Sequence, residues 1–333
     1  MITFGILATS PIAHEWMTAV NATGAYRLGA VYSRTLAKAQ VFGEAYGSDV
    51  LAYDSLEAFL ADPALDLVYI ASPNGLHVAH SRLALEAGKH VVVEKPAVLR
   101  PAEWAELLSL AKEKKVMLFE AARNVHEKAV TLIADFLKDQ EILGANLRYG
   151  KYSSKMPALL AGELPNVFSA KFGGGALMDL GIYPLYLAHY WFGKPDRIAY
   201  QAQKWAWDVD LAGQAQLFYG DSLVTLQTAK NYTTYLPSEI YTRQGTVILD
   251  SIEAIGSVRF RDLSGQEQVL PVTVASHQME EEAAAFARMI EVEDWSAWEN
   301  WAQLAQEVHE TIWNLRQDAA LVFEGDEDVK ELS

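Results

Sequence analysis

The chain of 333 residues contains no cysteine, which excludes disulfides, thiolate-bound metal, iron-sulfur clusters and a cysteine nucleophile together. It also lacks any apolar run near the about 18 residues that a membrane-spanning helix needs. Met1 leads into Ile2-Thr3-Phe4-Gly5-Ile6-Leu7 with no basic stretch before it, so the expectation is a soluble, cytoplasmic protein with no membrane partner. Positive charge is scarce. Lys and Arg number 27 against 43 Asp and Glu, a net charge of -16 that repels a phosphate backbone and argues against nucleic acid as a partner. Repeats and low-complexity tracts are absent too. What is present suffices for a core, with 51% apolar and 21% charged residues. At about 150 residues per domain, two domains are expected.

Up to about residue 122, short apolar runs alternate with amphipathic helical stretches, the pattern of a parallel sheet with crossover helices. The strands read as Ile2 to Leu7, Tyr26 to Tyr32, Leu67 to Ala71, His90 to Val93 and Val116 to Phe119. Thr35 is placed to cap a helix that Gly47 ends, Gly88 closes another, and Pro101 suits the first turn of a helix whose Trp104, Leu107, Leu108 and Ala111 share a face. The prediction for residues 1–122 is an α/β doubly wound, dinucleotide-binding Rossmann domain. Residues 123–333 are predicted to form an α+β substrate-binding and dimerisation domain, whose C-terminal helices can pack back on the first. Its runs Leu147 to Tyr152, Ala215 to Tyr219, Ser222 to Thr228 and Thr246 to Leu249 alternate like strands. Turn signals at Tyr219-Gly220-Asp221 and Leu263-Ser264-Gly265 imply an open, mainly antiparallel sheet. Trp301, Leu304, Ala305, Val308, Ile312 and Leu315 recur at the spacing of one buried helix face, and Glu324 to Glu331 read as a solvated acidic end.

The first strand-to-helix turn is where a dinucleotide fingerprint requires Gly-x-Gly-x-x-Gly/Ala. The chain has Ala8-Thr9-Ser10-Pro11-Ile12-Ala13, meeting only the third position. Hydroxyls at Thr9 and Ser10, with Pro11 at the first helical position, still make an anion-binding helix N-terminus; a turn serving structure alone is the competing reading. The second strand ends Val31-Tyr32-Ser33-Arg34, with no acidic residue to hold a ribose 2'-hydroxyl. Ser33 and Arg34 suit a 2'-phosphate instead, because a guanidinium offers phosphate a planar fork, so NADP is favoured and NAD is the second choice.

Three further motifs resemble the Gfo/Idh/MocA oxidoreductases, the family of glucose-fructose oxidoreductase and inositol dehydrogenase. They are Ala71-Ser72-Pro73-Asn74-Gly75-Leu76-His77, Glu94-Lys95-Pro96, and Gly174-Gly175-Ala176-Leu177-Met178-Asp179-Leu180-Gly181-Ile182-Tyr183. Their order and spacing extend the likeness over nearly the whole chain. Tyr183, where many sugar dehydrogenases carry histidine, resembles the branch that includes dimeric dihydrodiol dehydrogenase. The resemblance implies cofactor contacts from Ser72, Pro73, Asn74, His77 and Glu94, a central role for Lys95, and a homodimer or dimer of dimers paired through the sheet.

Lys95 follows a strand at its carboxyl end, where ligands sit in open α/β sheets, and its ammonium can donate to a ribose and to a reacting oxygen. Tyr183 is the candidate acid-base group, and a phenol near pKa 10 needs a cation such as Lys95 to act at neutral pH. Packing with Tyr186, Tyr190 and Trp191 is the competing role for Tyr183. Asp179, four residues earlier, orients Tyr183 or binds a substrate hydroxyl if the segment is helical. Asn74 is read as helix cap and cofactor contact together. His77 and His80 have no acidic or cysteine ligand beside them, so no metal site is predicted. Glu120, Arg123, Asn124 and His126 fall where a substrate cleft would open between domains; Arg123, Asn124, His126 and Lys155 are substrate-contact candidates, and His126 serves equally well as a junction hydrogen bond. Residues 152–175 read as a long loop of the kind that forms lids. Trp295, Trp298 and Trp301 read as packing anchors. The function predicted is NAD(P)-dependent hydride transfer to or from a small sugar, polyol or dihydrodiol-like substrate. The alternative is a non-catalytic regulator of the same fold that holds a dinucleotide or sugar.

Overall fold

A computed structural model describes residues 1–205 and 209–326 of the chain. The order begins β1 (Ile2–Leu7), α1 (Pro11–Thr23), β2 (Tyr26–Tyr32), α2 (Leu36–Glu44), β3 (Leu51–Tyr53), α3 (Leu56–Leu60), β4 (Leu67–Ile70), α4 (His77–Glu86), β5 (His90–Glu94), α5 (Pro101–Lys114) and β6 (Leu118–Ala121). It continues α6 (Lys128–Leu137), β7 (Ile142–Gly150), α7 (Met156–Leu160), α8 (Ile182–Phe192), β8 (Arg197–Trp205), β9 (Val209–Tyr219) and β10 (Ser222–Ala229). β11 (Ser238–Thr242), β12 (Gly245–Leu249), β13 (Val258–Asp262), β14 (Glu267–Leu270), α9 (Glu280–Glu291) and α10 (Trp295–Asp318) complete it. Two compact units result, one of residues 1–123 with 275–306, the other of residues 124–274 with 307–333.

In the first unit six parallel strands run in the order β3-β2-β1-β4-β5-β6. The central strands are apolar on both faces, as a sheet covered by helices on each side requires: Leu67, Val68, Tyr69 and Ile70 of β4 are all buried. α9 and the first part of α10 belong to this unit. The Tyr26 hydroxyl donates to the Ala283 carbonyl at 2.7 Å, and the Trp298 indole to Leu118 at 2.9 Å. Trp298 is therefore the anchor its spacing suggested, buried yet hydrogen-bonded. The expected strand at Val116 starts two residues later, at Leu118. The short edge strand β3 has no apolar run to announce it. Thr35 stands at the α2 N-terminus without a side-chain cap bond, and the helix ends at Glu44 rather than Gly47.

The second unit is an eight-stranded sheet ordered β14-β13-β12-β11-β7-β10-β9-β8. All pairs are antiparallel except β7 with β10, which run parallel. Both predicted turns join hairpins, β9 to β10 and β13 to β14. The acidic end departs from expectation: Asp326 is 1% exposed and pairs with the buried Arg316, whose guanidinium lies 3.8 Å from the Phe323 ring centre. The rest of that predicted stretch, residues 327–331, lies outside the described residues.

His189 of α8 is buried, with Nε2 2.9 Å from the Thr311 hydroxyl. Loss of solvent pushes its pKa down to about 4, with Lys194 adding to the effect. An unfolded histidine titrates near 6.5, so between those values the unfolded chain binds more protons than the folded one. Stability is therefore full above pH 6.5 and falls as pH drops toward 4, by up to about 3 kcal/mol from this group. His189→Gln removes that contribution. Melting curves at pH 7 and pH 4.5 are expected to fall further apart for the wild type than for the variant.

Candidate functional site

The strand order of the first unit reverses direction between β1 and β4, and an open parallel sheet receives ligands beyond the carboxyl ends at such a reversal. Residues 8–10 follow β1, 71–76 follow β4 and 95–100 follow β5 there. Ala8 has φ +82°, the left-handed backbone that the fingerprint assigns to glycine, and its N–H donates to the Tyr32 carbonyl at 3.0 Å. An alanine held so costs about 1–2 kcal/mol. The turn thus keeps the fingerprint's path without its glycine. Ser10 is the N-cap of the 13-residue α1, yet its side chain caps nothing and its buried Oγ has no partner. An orphaned hydroxyl at a helix N-terminus fits a bound phosphate group. Thr9 and Ile12 flank it, both partly buried.

Ser33 is buried at the end of β2 and donates its N–H to Tyr53 at 3.1 Å. Arg34 beyond it is exposed and forms no ion pair among the described residues. After β4, Ser72 is buried and Pro73 exposed. Two corrections belong to this turn. Asn74 opens a 3₁₀ turn, Asn74–Leu76, with Pro73 at its cap position and no side-chain cap bond, so the helix-cap role assigned to it is not seen. His77 is 0% exposed, with Nδ1 2.9 Å from the Pro96 carbonyl and Nε2 2.7 Å from that of Ser72. Both ring nitrogens face backbone carbonyls, which withdraws the ring from cofactor contact.

Lys95 is half-buried just past β5. Before it, Glu94 accepts from the Tyr69 hydroxyl; loss of solvent pushes the Glu94 carboxyl above the usual range, opposed by that bond and by the Lys95 charge. Glu120 on β6 accepts from the Ala97 N–H at 2.6 Å. Arg123 ends the first unit with its guanidinium donating to Gln278.

In the second unit Asp179 sits in a π-helical turn, Leu177–Gly181, and Tyr183 in the first turn of α8. Wide turns of this kind recur at functional sites. The segment is helical throughout, so the two residues share a side of it, as the sequence implied. Tyr183 is 8% exposed, and its ring meets Tyr149 edge-on, with centres 5.2 Å apart. Lys230, directly after β10, is buried, pairs with the Asp179 carboxylate and lies 5.8 Å from the Phe168 ring centre.

Asn124, expected at the substrate, is 1% exposed; its amide donates to the carbonyls of Tyr183 at 3.1 Å and Ile252 at 3.0 Å. It fixes the backbone that carries Tyr183 and is not open to a ligand. His126 holds Nδ1 away from solvent, and burial pushes its pKa down to about 3, so it is neutral at physiological pH. Lys155 is exposed at the N-terminus of α7. The predicted loop of residues 152–175 is structured. It contains α7 and two 3₁₀ turns, and its Met156, Leu159 and Phe168 pack with Leu211 in a small core.

Residues 2–122 match the oxidoreductase family with an NAD-binding Rossmann fold, and residues 141–248 match the C-terminal domain of the same Gfo/Idh/MocA group. An uncharacterized oxidoreductase of Escherichia coli, YgjR, is 35% identical over 87% of this chain and 89% of its own length. The chain belongs to the Gfo/Idh/MocA oxidoreductase family. The NADP(+)-dependent scyllo-inositol 2-dehydrogenase IolU of Bacillus subtilis is 29% identical over 98% of this chain and 100% of its own. The fold matches that of KijD10, a 3-ketoreductase from Actinomadura kijaniata solved with NADP and TDP-benzene. Its TM-score is 0.78 at 22% identity, over 95% of this chain and 97% of that one. The resemblance read from the three motifs and the fold class read from alternation both hold.

Sequence reasoning missed Lys230 and Asp210. Lys230 had the signal that picked out Lys95, a lysine directly after a strand's carboxyl end. Asp210 is 1% exposed and accepts from the Leu177 N–H at 2.8 Å and the Tyr200 hydroxyl at 2.5 Å, which anchors the π turn.

Proposed function

We propose that this oxidoreductase moves hydride between nicotinamide C4 of NADP and a carbinol or carbonyl carbon of a small sugar, polyol or dihydrodiol-like substrate. The observation that carries the reading is Lys95, partly buried at the carboxyl end of β5, in a chain whose near full-length relative IolU is a dehydrogenase named for NADP(+). When bound, the dinucleotide supplies or accepts the hydride. The chain's own groups do the rest. Ala8, Thr9, Ser10 and Ile12 hold the diphosphate; Ser33 and Arg34 take the 2'-phosphate; Ser72, Pro73 and the Asn74 amide border the nicotinamide half. Lys95 donates to the reacting oxygen, and Tyr183 gives or takes its proton. Asp179 accepts from a substrate hydroxyl, with Lys230 fixing its carboxylate. Arg123 remains a further substrate-contact candidate. A cytoplasmic location, expected from the sequence, and pairing of two copies, implied by the family resemblance, complete the proposal. The non-catalytic alternative drew its support from Ala8 and Ser10 standing where glycines are expected; the left-handed φ of Ala8 answers the first, and the NADP(+)-dependent relative IolU favours the catalytic reading.

Titration of NADPH and NADH, followed by nicotinamide fluorescence, tests the cofactor assignment. Losing charge-assisted bonds to a phosphate costs about 1.5–3 kcal/mol, or roughly 10- to 100-fold in affinity. NADPH is expected to bind at least about tenfold more tightly than NADH, and Arg34→Ala to erase most of the difference. Equal wild-type affinities would remove Arg34 from the site.

A further inference from the structure

We propose that His77 and Glu120 are positioning residues that grip one peptide unit, Pro96–Ala97, from its two ends and thereby hold Lys95 in place. The idea rests on the reading that Lys95 serves the reacting oxygen. The Ala97 N–H donates to Glu120 Oε1 at 2.6 Å, and the carbonyl of the same unit, that of Pro96, lies 2.9 Å from His77 Nδ1. His77 is 0% exposed and Glu120 6%. The second ring nitrogen of His77 lies 2.7 Å from the Ser72 carbonyl. Carbonyl oxygens only accept, and burial pushes the His77 pKa down, so the neutral ring has one proton to donate. In the grip that proton sits on Nδ1, toward Pro96.

The strands do not supply this support. Pairing of β4 with β5 ends at Ile70 and Val93, and that of β5 with β6 at Glu94 and Ala121. The Pro96–Ala97 peptide therefore lies beyond the last paired residues of β5 on both sides, and side chains hold it. Burying an imidazole and a carboxyl costs free energy that two apolar residues would not, and the bonds to this peptide offset part of that cost.

The test uses the full chain after reductive methylation with ¹³C-formaldehyde, which labels lysine Nζ; the Lys95 signal is the one missing from Lys95→Met. Glu120→Ala and His77→Ala are each expected to shift that signal and the midpoint of its pH titration. Glu120→Gln, whose amide oxygen still accepts from Ala97, is expected to keep the wild-type position. Wild-type signals in both alanine variants, or a displaced signal in Glu120→Gln, would overturn the proposal. A further readout needs no variant: rapid hydrogen exchange of the Ala97 amide in the native protein would overturn it too. Failure of the underlying reading looks different, because Lys95→Met would then turn over substrate while the signal still reports the grip.

Discussion

Lys95→Met is expected to lower kcat by about 10²- to 10⁴-fold, the range for losing a positioned proton-transfer group. Methionine matches the length and apolar stem of lysine and removes the charge and all three donors. Because Lys95 is only partly buried, the melting temperature should stay near the wild-type value. NADPH binding should survive, since the diphosphate and 2'-phosphate contacts assigned to Ser10 and Arg34 are untouched. Turnover within tenfold of wild type would remove Lys95 from the chemistry. Tyr183→Phe sharpens the result, for it deletes one oxygen from a ring that keeps its contact with Tyr149. If the two groups serve one proton, Lys95→Met with Tyr183→Phe is no slower than the worse single variant. Multiplying losses would mean that the two groups act independently.

The part of the fold that could be read from sequence is the part where one face or both must be apolar. Strands β1, β2, β4 and β5 announced themselves because both faces are covered; β3 did not, because Leu51 is 52% exposed and three residues make no pattern. Hairpin turns were legible through Gly220 and Gly265. The parallel pairing of β7 with β10 was not, since it joins residues 79 apart that no local turn specifies. The site divides similarly. Lys95, Asp179 and Tyr183 stand in motifs with fixed spacing. Asn124 and His77 were singled out for the right region but the wrong role, because a polar residue type does not reveal whether its bonds go to a ligand or to backbone. Asp326 escaped notice because its partner Arg316 lies on a helix face whose apolar residues alone were counted.

Gly175→Ala is expected to destabilise the second unit by roughly 2–5 kcal/mol, combining the strain of a left-handed alanine with disturbance of a buried carboxylate. Gly175 has φ +110°, and a Cβ there would approach Asp210 Oδ1 more closely than real Cβ atoms do. The carboxylate cannot swing aside freely, because Oδ2 is held by the Leu177 N–H and the Tyr200 hydroxyl, and burial pushes the Asp210 carboxyl above its usual range. Moving it leaves buried donors unpaired. A loss of this size lowers the melting temperature by about 10 °C. Asp210→Ala alone should cost a similar amount by removing the acceptor. In the double variant the new methyl finds space where the carboxylate stood, so the two losses should fall short of additive by at least about 1 kcal/mol. Additive losses would mean that the clash is relieved elsewhere. The chemistry should suffer with the fold, since the Gly175 carbonyl accepts from the Asp179 N–H at 3.3 Å and Asp210 anchors the first residue of the turn that carries Asp179.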